Sequence, residues 1–272
     1  MRALRNRFLN WARPLRRRYR ELGAAGFARW FLLKRIGKPI IDGLDRHMLK
    51  CSKVGEQALL DSALFPWTEK FEAEWKTVRR ELDAVLEYRE HLPPLHSLQP
   101  DQKNISYDDQ WKAFVISGWG HRSEANRRRC PETARLLDGV PGVITAFFSI
   151  LAPGKHVPRH RGITHGVVRC HLGLIVPPRD KGRCEIAIED EIYRWEEGRL
   201  FLFDDVFKHE VWNETDQERV VLLFDIERPM TWSGRLAQRT VLNLMLMSPF
   251  VREARRNEEA WEDRVEGVIP SS

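Results

Sequence analysis

The sequence predicts a mainly β protein, a sandwich or jelly roll, with helices before and after the strands. Between residues 105 and 230, short apolar runs with β-branched and aromatic residues follow one another without an intervening helical pattern. Gly, Pro, Asp and Asn separate these runs, and helical periodicity is confined to the flanking segments. The predicted strands are Trp111–Ile116, Val143–Leu151, Gly166–Val176, Arg183–Ile188, Arg199–Phe203, His209–Asn213 and Arg219–Ile226.

The segments on both sides of the strands have a helical pattern. Residues 55–95 are predicted to be helical, because the apolar residues Phe71, Trp75, Val78, Leu82, Val85 and Leu86 share one helix face. The sequence LPPLHSLQPDQ then ends the helix, since the residue before a proline disfavours the helical conformation. Beyond Pro229 the helical pattern returns, and its apolar stretch VLNLMLM at 241–247 is expected to pack against the sheet.

Residues 1–40 form a basic segment with its own apolar pattern. They contain twelve Lys or Arg and one acidic residue, so they carry +11, whereas the whole chain carries +6. A helical stripe with spacings of three and four runs through Leu4, Phe8, Trp11, Leu15, Tyr19 and Leu22. Three interpretations follow: a helical arm packed on the body, a helix lying on an anionic membrane surface, or a mitochondrial presequence.

The composition excludes several classes of protein. Charged residues make up 31% and hydrophobic residues 42%, as in soluble globular proteins, and no apolar run is long enough to span a bilayer. The four cysteines lack the C-x-x-C spacing of zinc or disulfide motifs, and no signal-peptide pattern is present. No nucleic-acid-binding motif is recognised. We therefore expect a cytoplasmic protein, peripheral on the inner membrane face if residues 1–40 bind membrane.

Two histidines are the strongest candidates for a metal site. His160 follows a predicted buried strand, and His209 opens another one. Imidazoles on separate strands can hold a divalent metal ion. A lone histidine beside a strand is more often structural, so each residue alone is weak support. His156 has helical spacing from His160, but Pro158 between them prevents a helix.

Three further residues predict a pocket for an anion. In GVVRCHLGL, alternation puts Arg169 and His171 on one strand face, and in RVVLLFDIE, Arg219 shares a face with Val221 and Leu223. Cationic side chains directed into one cavity are costly without a negative partner, and a dicarboxylate would supply it. The alternative is an internal salt bridge, for which Asp204, Asp205 and Asp225 are available.

Beyond these single residues, the chain resembles the aspartyl/asparaginyl β-hydroxylase domain family of Fe(II)/2-oxoglutarate-dependent dioxygenases over about residues 60–230. The matching stretches are WKAF, CPETARLL, FSILAPGKHVPRHRG, VVRCHLGLIVP, WEEGRLFLFDD, HEVWN and RVVLLFDIERP. The resemblance implies a double-stranded β-helix, which is a cupin-like jelly roll, with an N-terminal helical region and a C-terminal helix. It implies an arm at 1–54, a dioxygenase domain at 55–232 and a helical extension at 233–272.

The resemblance also implies roles for individual residues. His160 and His209 take the positions of the catalytic iron ligands, and O2 is the oxidant. Arg169, His171 and Arg219 match residues that hold 2-oxoglutarate, with Ser149 and Trp111 at matching positions in the same pocket. Most of the wider superfamily has a carboxylate ligand two residues after the first histidine, where this chain has Gly162. The animal peptide hydroxylases of this family also have glycine there, whereas bacterial lipid A hydroxylases tend to have aspartate.

The expected activity is β-hydroxylation of an aspartyl- or asparaginyl-type substrate, with release of succinate and CO2. The alternative is hydroxylation of a membrane-lipid acyl chain, of lipid A or ornithine-lipid type, at the cytoplasmic membrane face. A third interpretation, a non-catalytic jelly-roll binding module, requires loss of a metal ligand, and both histidines are present.

Overall fold

The computed structural model describes residues 37–99 and 105–269. The chain divides into two compact units, residues 1–47 and 48–272. Of the predicted arm at 1–54, residues 37–54 are described, whereas its basic segment 1–40 lies outside the described residues except for the last four. The interpretations of that segment therefore stay predictions, as do the boundaries at 54 and 232. The helices are α1 (Lys38–Lys50), α2 (Thr68–Leu86), α3 (Leu95–Leu98), α4 (Glu124–Arg129), α5 (Pro131–Asp138), α6 (Trp232–Leu246) and α7 (Pro249–Val265).

The strands of the second unit form two antiparallel sheets. They are β1 (Leu59–Leu60), β2 (Trp111–Gly118), β3 (His121–Arg122), β4 (Val143–Leu151), β5 (His156–His160), β6 (Val167–Ile175), β7 (Cys184–Ile188), β8 (Glu191–Tyr193), β9 (Leu200–Phe203), β10 (His209–Asn213) and β11 (Arg219–Glu227). A seven-stranded sheet has the order β1-β9-β6-β11-β4-β2-β3, and a four-stranded sheet has the order β5-β10-β7-β8. The predicted class, a mainly β jelly roll with flanking helices, is confirmed.

Alternation along β6 and β11 gives the large sheet two different faces. The register pairs His171 with Leu223 and Arg169 with Asp225, so these side chains share a face. The opposite face is apolar and packs against α2, where Phe71 stacks on Phe224 with ring centroids 5.2 Å apart. The helix covers one face of the sheet, and the polar side chains are left on the other.

Several elements differ from the sequence prediction. The helix predicted over 55–95 is right for Thr68–Leu86 but wrong before it, where a two-residue strand and a short 3-10 helix lie. Strand β5 was not predicted, because its sequence HVPRH is polar and contains a proline. Helices α4 and α5 were missed despite local signals: Ser123 caps α4, and Pro131 stands in the first turn of α5.

The apolar stretch 241–247 is only partly buried. Val241 and Leu242 pack inward, but Leu244 and Met247 are exposed, Met247 by 73%. The expectation that this stretch packs on the sheet is therefore wrong for half of it. A single helix presents one stripe to its neighbour, and apolar residues on all sides cannot all reach that contact.

The remaining composition-based expectations concern cysteines and membrane spans. All four cysteines are free thiols, as their scattered positions predicted. Among the described residues, no helix combines the length and the apolarity that crossing a bilayer requires.

Candidate metal and cosubstrate site

The two candidate metal ligands lie on neighbouring strands of the small sheet. His160 ends β5 and His209 begins β10, and the register pairs them directly. Their ring centroids are 4.1 Å apart, with the ring planes inclined by 59°. The antiparallel pairing thus brings together two imidazoles that are almost fifty residues apart in the chain.

Backbone hydrogen bonds orient both rings in the same way. Nδ1 of His160 lies 2.8 Å from the carbonyl oxygen of Pro158, and Nδ1 of His209 lies 2.9 Å from that of Phe207. A carbonyl oxygen only accepts, so each Nδ1 carries the proton and donates it. The lone pair of each Nε2 is therefore free, which is the tautomer that a metal-binding histidine needs.

Burial keeps both imidazoles neutral. Removal from water lowers the pKa of His160 below its usual value. It lowers the pKa of His209 to about 3, and the neighbouring His160 adds to the effect. Neither ring is then protonated near neutral pH, and protonation does not compete with a metal ion there.

The space beside Gly162 is filled by a carboxylate from another segment. A Cβ atom at Gly162 would lie 2.0 Å from Oδ1 of Asp205, so a larger residue there requires rearrangement. The backbone N–H of Gly162 donates to the carbonyl oxygen of Asp205 at 2.6 Å. Burial raises the pKa of Asp205 to about 6, while Arg169 opposes that rise. An acidic group thus lies next to the position where relatives in the wider superfamily have their third ligand.

Arg219 is the clearest sign of an anion pocket. It is 3% exposed, and its Nε and Nη1 atoms are buried without a hydrogen-bond partner. Within the described ranges it forms no ion pair, and its guanidinium lies 4.5 Å from the ring centre of Trp195. Burial lowers the pKa of Arg219 to about 10, which still leaves it charged. A buried cation with unused donors fits a carboxylate ligand.

His171 offers a second unused donor in the same pocket. Nε1 of Trp195 donates to its Nδ1 at 3.1 Å, so the proton of the neutral ring is on Nε2. That Nε2 atom is buried without a partner. Burial lowers the pKa of His171 well below its usual value, and Arg219 and Arg169 lower it further. The ring therefore stays neutral and can donate one hydrogen bond to a ligand.

Trp195 is a site residue that the sequence interpretation did not single out. The backbone of its loop crosses closely over β6, where a Cβ atom at Gly173 would lie 2.2 Å from the carbonyl oxygen of Glu196. Two backbone hydrogen bonds, Gly198 to Gly173 and Gly173 to Arg199, hold this crossing. A glycine in the middle of a strand is a signal of such close approach, and could have pointed to the loop.

Arg169 differs from Arg219 because carboxylates already surround it. Its Nε and Nη2 donate to the two oxygens of Asp225 at 2.9 and 3.0 Å, and its Nη1 lies 3.0 Å from Asp205. These contacts agree with the alternative prediction from the sequence, that Arg169 takes part in an internal salt bridge. Its predicted role in holding 2-oxoglutarate stays a prediction.

The other two predicted pocket residues hydrogen-bond each other. Nε1 of Trp111 donates to the hydroxyl oxygen of Ser149 at 3.0 Å, which leaves the Ser149 proton free to donate elsewhere. Ser149 is fully buried and is paired with Val221, the residue that shares a strand face with Arg219.

Aromatic rings connect the two halves of the site. The Phe203 ring lies 5.3 Å from His209 on one side and 5.3 Å from His171 on the other. Trp195 continues the path, 6.0 Å from His171. The small sheet thus supplies the imidazole pair, the large sheet supplies the anion-binding groups, and the Phe203 ring lies between them.

Comparisons with known proteins identify the family of the chain. A family model described as aspartyl/asparaginyl beta-hydroxylase matches residues 72–229. An ornithine lipid ester-linked acyl 2-hydroxylase of Rhizobium tropici is 39% identical over 246 residues, which are 89% of this chain and 87% of the relative. Human aspartyl/asparaginyl beta-hydroxylase is 33% identical over 168 residues, 59% of this chain but only 21% of the human protein.

Solved structures resemble the chain more distantly. A Pseudomonas putida prolyl-4-hydroxylase covers 57% of this chain and 87% of its own, with a TM-score of 0.38 and 19% identity.

Proposed function

The chain belongs to the aspartyl/asparaginyl β-hydroxylase family, and from that membership we propose that it is an Fe(II)- and 2-oxoglutarate-dependent hydroxylase. The residues fit both groups. His160 and His209 have free Nε2 lone pairs for a divalent metal. Arg219 and His171 have buried donors that lack a partner and suit a dicarboxylate. When bound, iron and 2-oxoglutarate use O2 to hydroxylate a C–H bond, giving succinate and CO2.

The protein contributes binding and orientation to this reaction. Arg219 would hold a carboxylate of the cosubstrate through its charged, unpartnered N–H groups, and Ser149 has a hydroxyl proton available in the same pocket. His171 donates from Nε2, because Trp195 occupies its other nitrogen. Phe203 and Trp195 keep water away from these polar groups, which strengthens each electrostatic contact.

We propose that the substrate is the acyl chain of an ornithine-type membrane lipid. The observation that carries this is the 39% identity with the Rhizobium hydroxylase along nearly the full length of both proteins. The match to human aspartyl/asparaginyl beta-hydroxylase is lower and covers a fifth of that protein. An aspartyl- or asparaginyl-type substrate, which was preferred from the sequence, is therefore the second candidate.

The exposed surface of α6 supports a substrate that resides in a membrane. Trp232 and Leu236 of α6 are 75% and 63% exposed, and Met247, which caps the helix, is 73% exposed. The basic residues Arg235 and Arg239 are exposed on the same helix. Apolar side chains flanked by cations suit the interface of an anionic bilayer.

This helix also contacts the loop that leaves the metal site. Nε2 of Gln238 donates to the carbonyl oxygen of Gly166 at 2.6 Å, six residues after His160. Membrane binding by α6 would therefore hold the reaction site close to the lipid surface. We propose peripheral contact through α6 and through the basic residues 1–40.

Turnover of defined substrates tests the proposal. Vesicles that contain ornithine lipid are incubated with the protein, Fe(II), 2-oxoglutarate and O2, and succinate and lipid mass are measured. We expect succinate release coupled to the gain of one oxygen atom on an acyl chain. His160→Ala and His209→Ala should abolish both signals and remain folded.

His156→Ala is the matched control, because His156 lies in β5 but pairs with Glu210 and stacks on Trp212. This variant should keep its activity. Hydroxylation of an Asp- or Asn-containing peptide with unmodified lipid would select the second candidate. Succinate release that persists without His160 or His209, at equal iron content, would refute the metal assignment.

A further inference from the structure

A second group of metal-ligating side chains lies at the outer edge of the large sheet. His121 is in the edge strand β3, and Glu258 and Glu262 are one turn apart on α7, so their carboxylates share a helix face. One ligand atom from each residue lies within 4.8 Å of the other two. The group joins the β2–β3 hairpin to the C-terminal helix.

Each of the three residues has one buried side-chain atom that could bind a metal and lacks a hydrogen-bond partner among the described residues. Within the described ranges, Nε2 of His121, Oε1 of Glu258 and Oε1 of Glu262 form no hydrogen bond. Glu258 is 6% exposed, so its carboxylate is almost fully removed from water. A buried carboxylate at Glu258 is unfavourable, the half-buried Glu262 beside it adds to that cost, and a bound positive ion would relieve it.

The charges of Arg129 and Arg255 act on Glu262 and Glu258, respectively, but these arginines donate hydrogen bonds to other groups. Nε of Arg255 donates to Glu259 at 2.9 Å. Arg129 donates to the carbonyl oxygen of Ile269 through Nε and Nη2, at 3.1 and 2.7 Å. In the described part of the chain, neither Glu258 nor Glu262 has a cationic nitrogen within 4.0 Å. Burial and the neighbouring Glu262 raise the pKa of Glu258 to about 8. Glu258 therefore holds a proton near neutral pH, and a metal ion must displace this proton in order to bind.

The surroundings leave space beside the carboxylates. A Cβ atom at Gly118 would lie 3.1 Å from Oε2 of Glu258, so glycine lets the acid approach the hairpin. A small cleft of about 20 Å³, roughly enough for one water-sized occupant, lies beside Glu258 and His121, and its other walls include Val115, Trp119, Phe147 and Val251. An apolar wall with three convergent polar atoms resembles the environment of a structural metal site more than that of a solvated acidic surface.

We propose that His121, Glu258 and Glu262 bind a second divalent ion, of which Zn²⁺ is the probe. One imidazole nitrogen and two carboxylate oxygens form a donor set that zinc accepts, and water can complete a tetrahedral site. The ion ties the β2–β3 hairpin to α7 and neutralises the two acids. This site is separate from the His160–His209 pair and does not depend on the proposed hydroxylase activity.

Zinc stoichiometry tests the site. Untagged full-length protein is stripped with a chelator and titrated with Zn²⁺ by calorimetry, and bound metal is counted after desalting. We expect two equivalents per chain, since the histidine pair also accepts zinc. Glu258→Gln and His121→Asn should each lose one equivalent. The double variant His160→Ala/His209→Ala should retain one, and adding Glu258→Gln should remove it.

Glu259→Gln is the matched control, because Glu259 is the next residue on α7 and is paired with Arg255. It should bind two equivalents. Near neutral pH the metal-free Glu258 side chain holds a proton, because its pKa is raised to about 8. Glu258→Gln replaces it with a neutral amide of similar shape, so the chelated variant should melt no lower than the chelated wild type. In the His160→Ala/His209→Ala background, zinc should raise the melting temperature only when His121, Glu258 and Glu262 are all present. Equal zinc content in wild type and Glu258→Gln, or no zinc in the double variant, would overturn the proposal.

Discussion

Two inward-facing arginines on neighbouring strands of the large sheet have opposite environments. Arg169 in β6 forms hydrogen bonds to both oxygens of Asp225 and an ion pair with Asp205. Arg219 in β11 has no carboxylate partner among the described residues, and two of its nitrogens are buried and unused. The pKa of Arg169 is raised by Asp205 and Asp225 although burial opposes them, whereas burial lowers that of Arg219 to about 10.

The difference shows how to distinguish a structural cation from a ligand-binding one. A buried charge is tolerated when a partner replaces the water that it loses. Arg169 has its partners within the fold, so its charge stabilises the folded chain. Arg219 lacks such partners among the described residues, so the fold bears the energetic penalty unless an anion binds there, as we propose. Both residues are arginines on the same face of the sheet, and they differ only in whether carboxylate partners surround them.

The largest effect on stability should follow from removing Arg169. Arg169→Met leaves Asp205 and Asp225 buried without their cation, and should lower the free energy of unfolding by on the order of 3 kcal/mol. Urea unfolding of the metal-free protein measures this. Arg159→Met is the control, since Arg159 is half exposed and pairs with Glu189, a surface contact worth about 0–1 kcal/mol. Equal losses in both variants would contradict the structural role of Arg169.

Arg219→Lys should affect the cosubstrate rather than stability. A lysine ammonium cannot reproduce the planar two-point contact, so the 2-oxoglutarate concentration required for half-maximal turnover should rise roughly ten- to hundredfold, about 1.5–3 kcal/mol. Thermal stability should remain close to that of wild type, because no internal ion pair is lost. Arg199→Lys, an exposed arginine paired with Glu72, is the control. If the required 2-oxoglutarate concentration did not change, a residue other than Arg219 would hold the cosubstrate carboxylate.

Trp195→Phe should have a smaller effect on the same pocket. It keeps an aromatic ring but removes the N–H that holds the proton of His171 on Nε2, a hydrogen bond worth about 1 kcal/mol. The apparent affinity for 2-oxoglutarate should fall roughly fivefold. Trp261→Phe loses an equally buried indole hydrogen bond, to the carbonyl of His91, far from the pocket. It should lose stability but keep cosubstrate affinity, and a shared loss of affinity would argue against a specific role for Trp195.

The smallest expected effect is on the imidazole pair. Arg169 contributes to lowering the pKa of His160 and of His209, after burial, whereas Arg219 does not act on them. In metal-free protein, Arg169→Met should therefore raise both pKa values, and Arg219→Met should leave them unchanged. NMR titration of the imidazole signals measures this.

The lowered pKa values also set the sign of the pH dependence of stability. A histidine whose folded pKa lies below the unfolded value of 6.5 stabilises the protein above that pH, and the contribution is lost as pH falls toward the folded value, about 3 for His209. Metal-free protein should lose stability over this range, and bound metal should protect it. If bound metal did not change the stability of the protein at acid pH, the conclusion that His160 and His209 are neutral in the folded state would be contradicted.

Local pattern was enough to predict much of the fold. The seven predicted strands are all present, because alternation and turn residues act within a few positions of the chain. The same alternation correctly put His171 and Arg169 on one face of β6. The polar strand β5 was missed, because partners in the small sheet, and not its own residues, make it a strand.

The sequence by itself thus determined the strand order along the chain, the faces of β6 and β11, and the candidate histidines and arginines. Only the tertiary structure decided the partners: His160 opposite His209, Asp205 and Asp225 on Arg169 but none on Arg219, and Trp195 over His171. It also brought His121 to Glu258 and Glu262 from distant parts of the chain. Side-chain direction follows from the period-two geometry of one strand, whereas partner choice depends on sheet register and loop crossings between residues far apart in sequence.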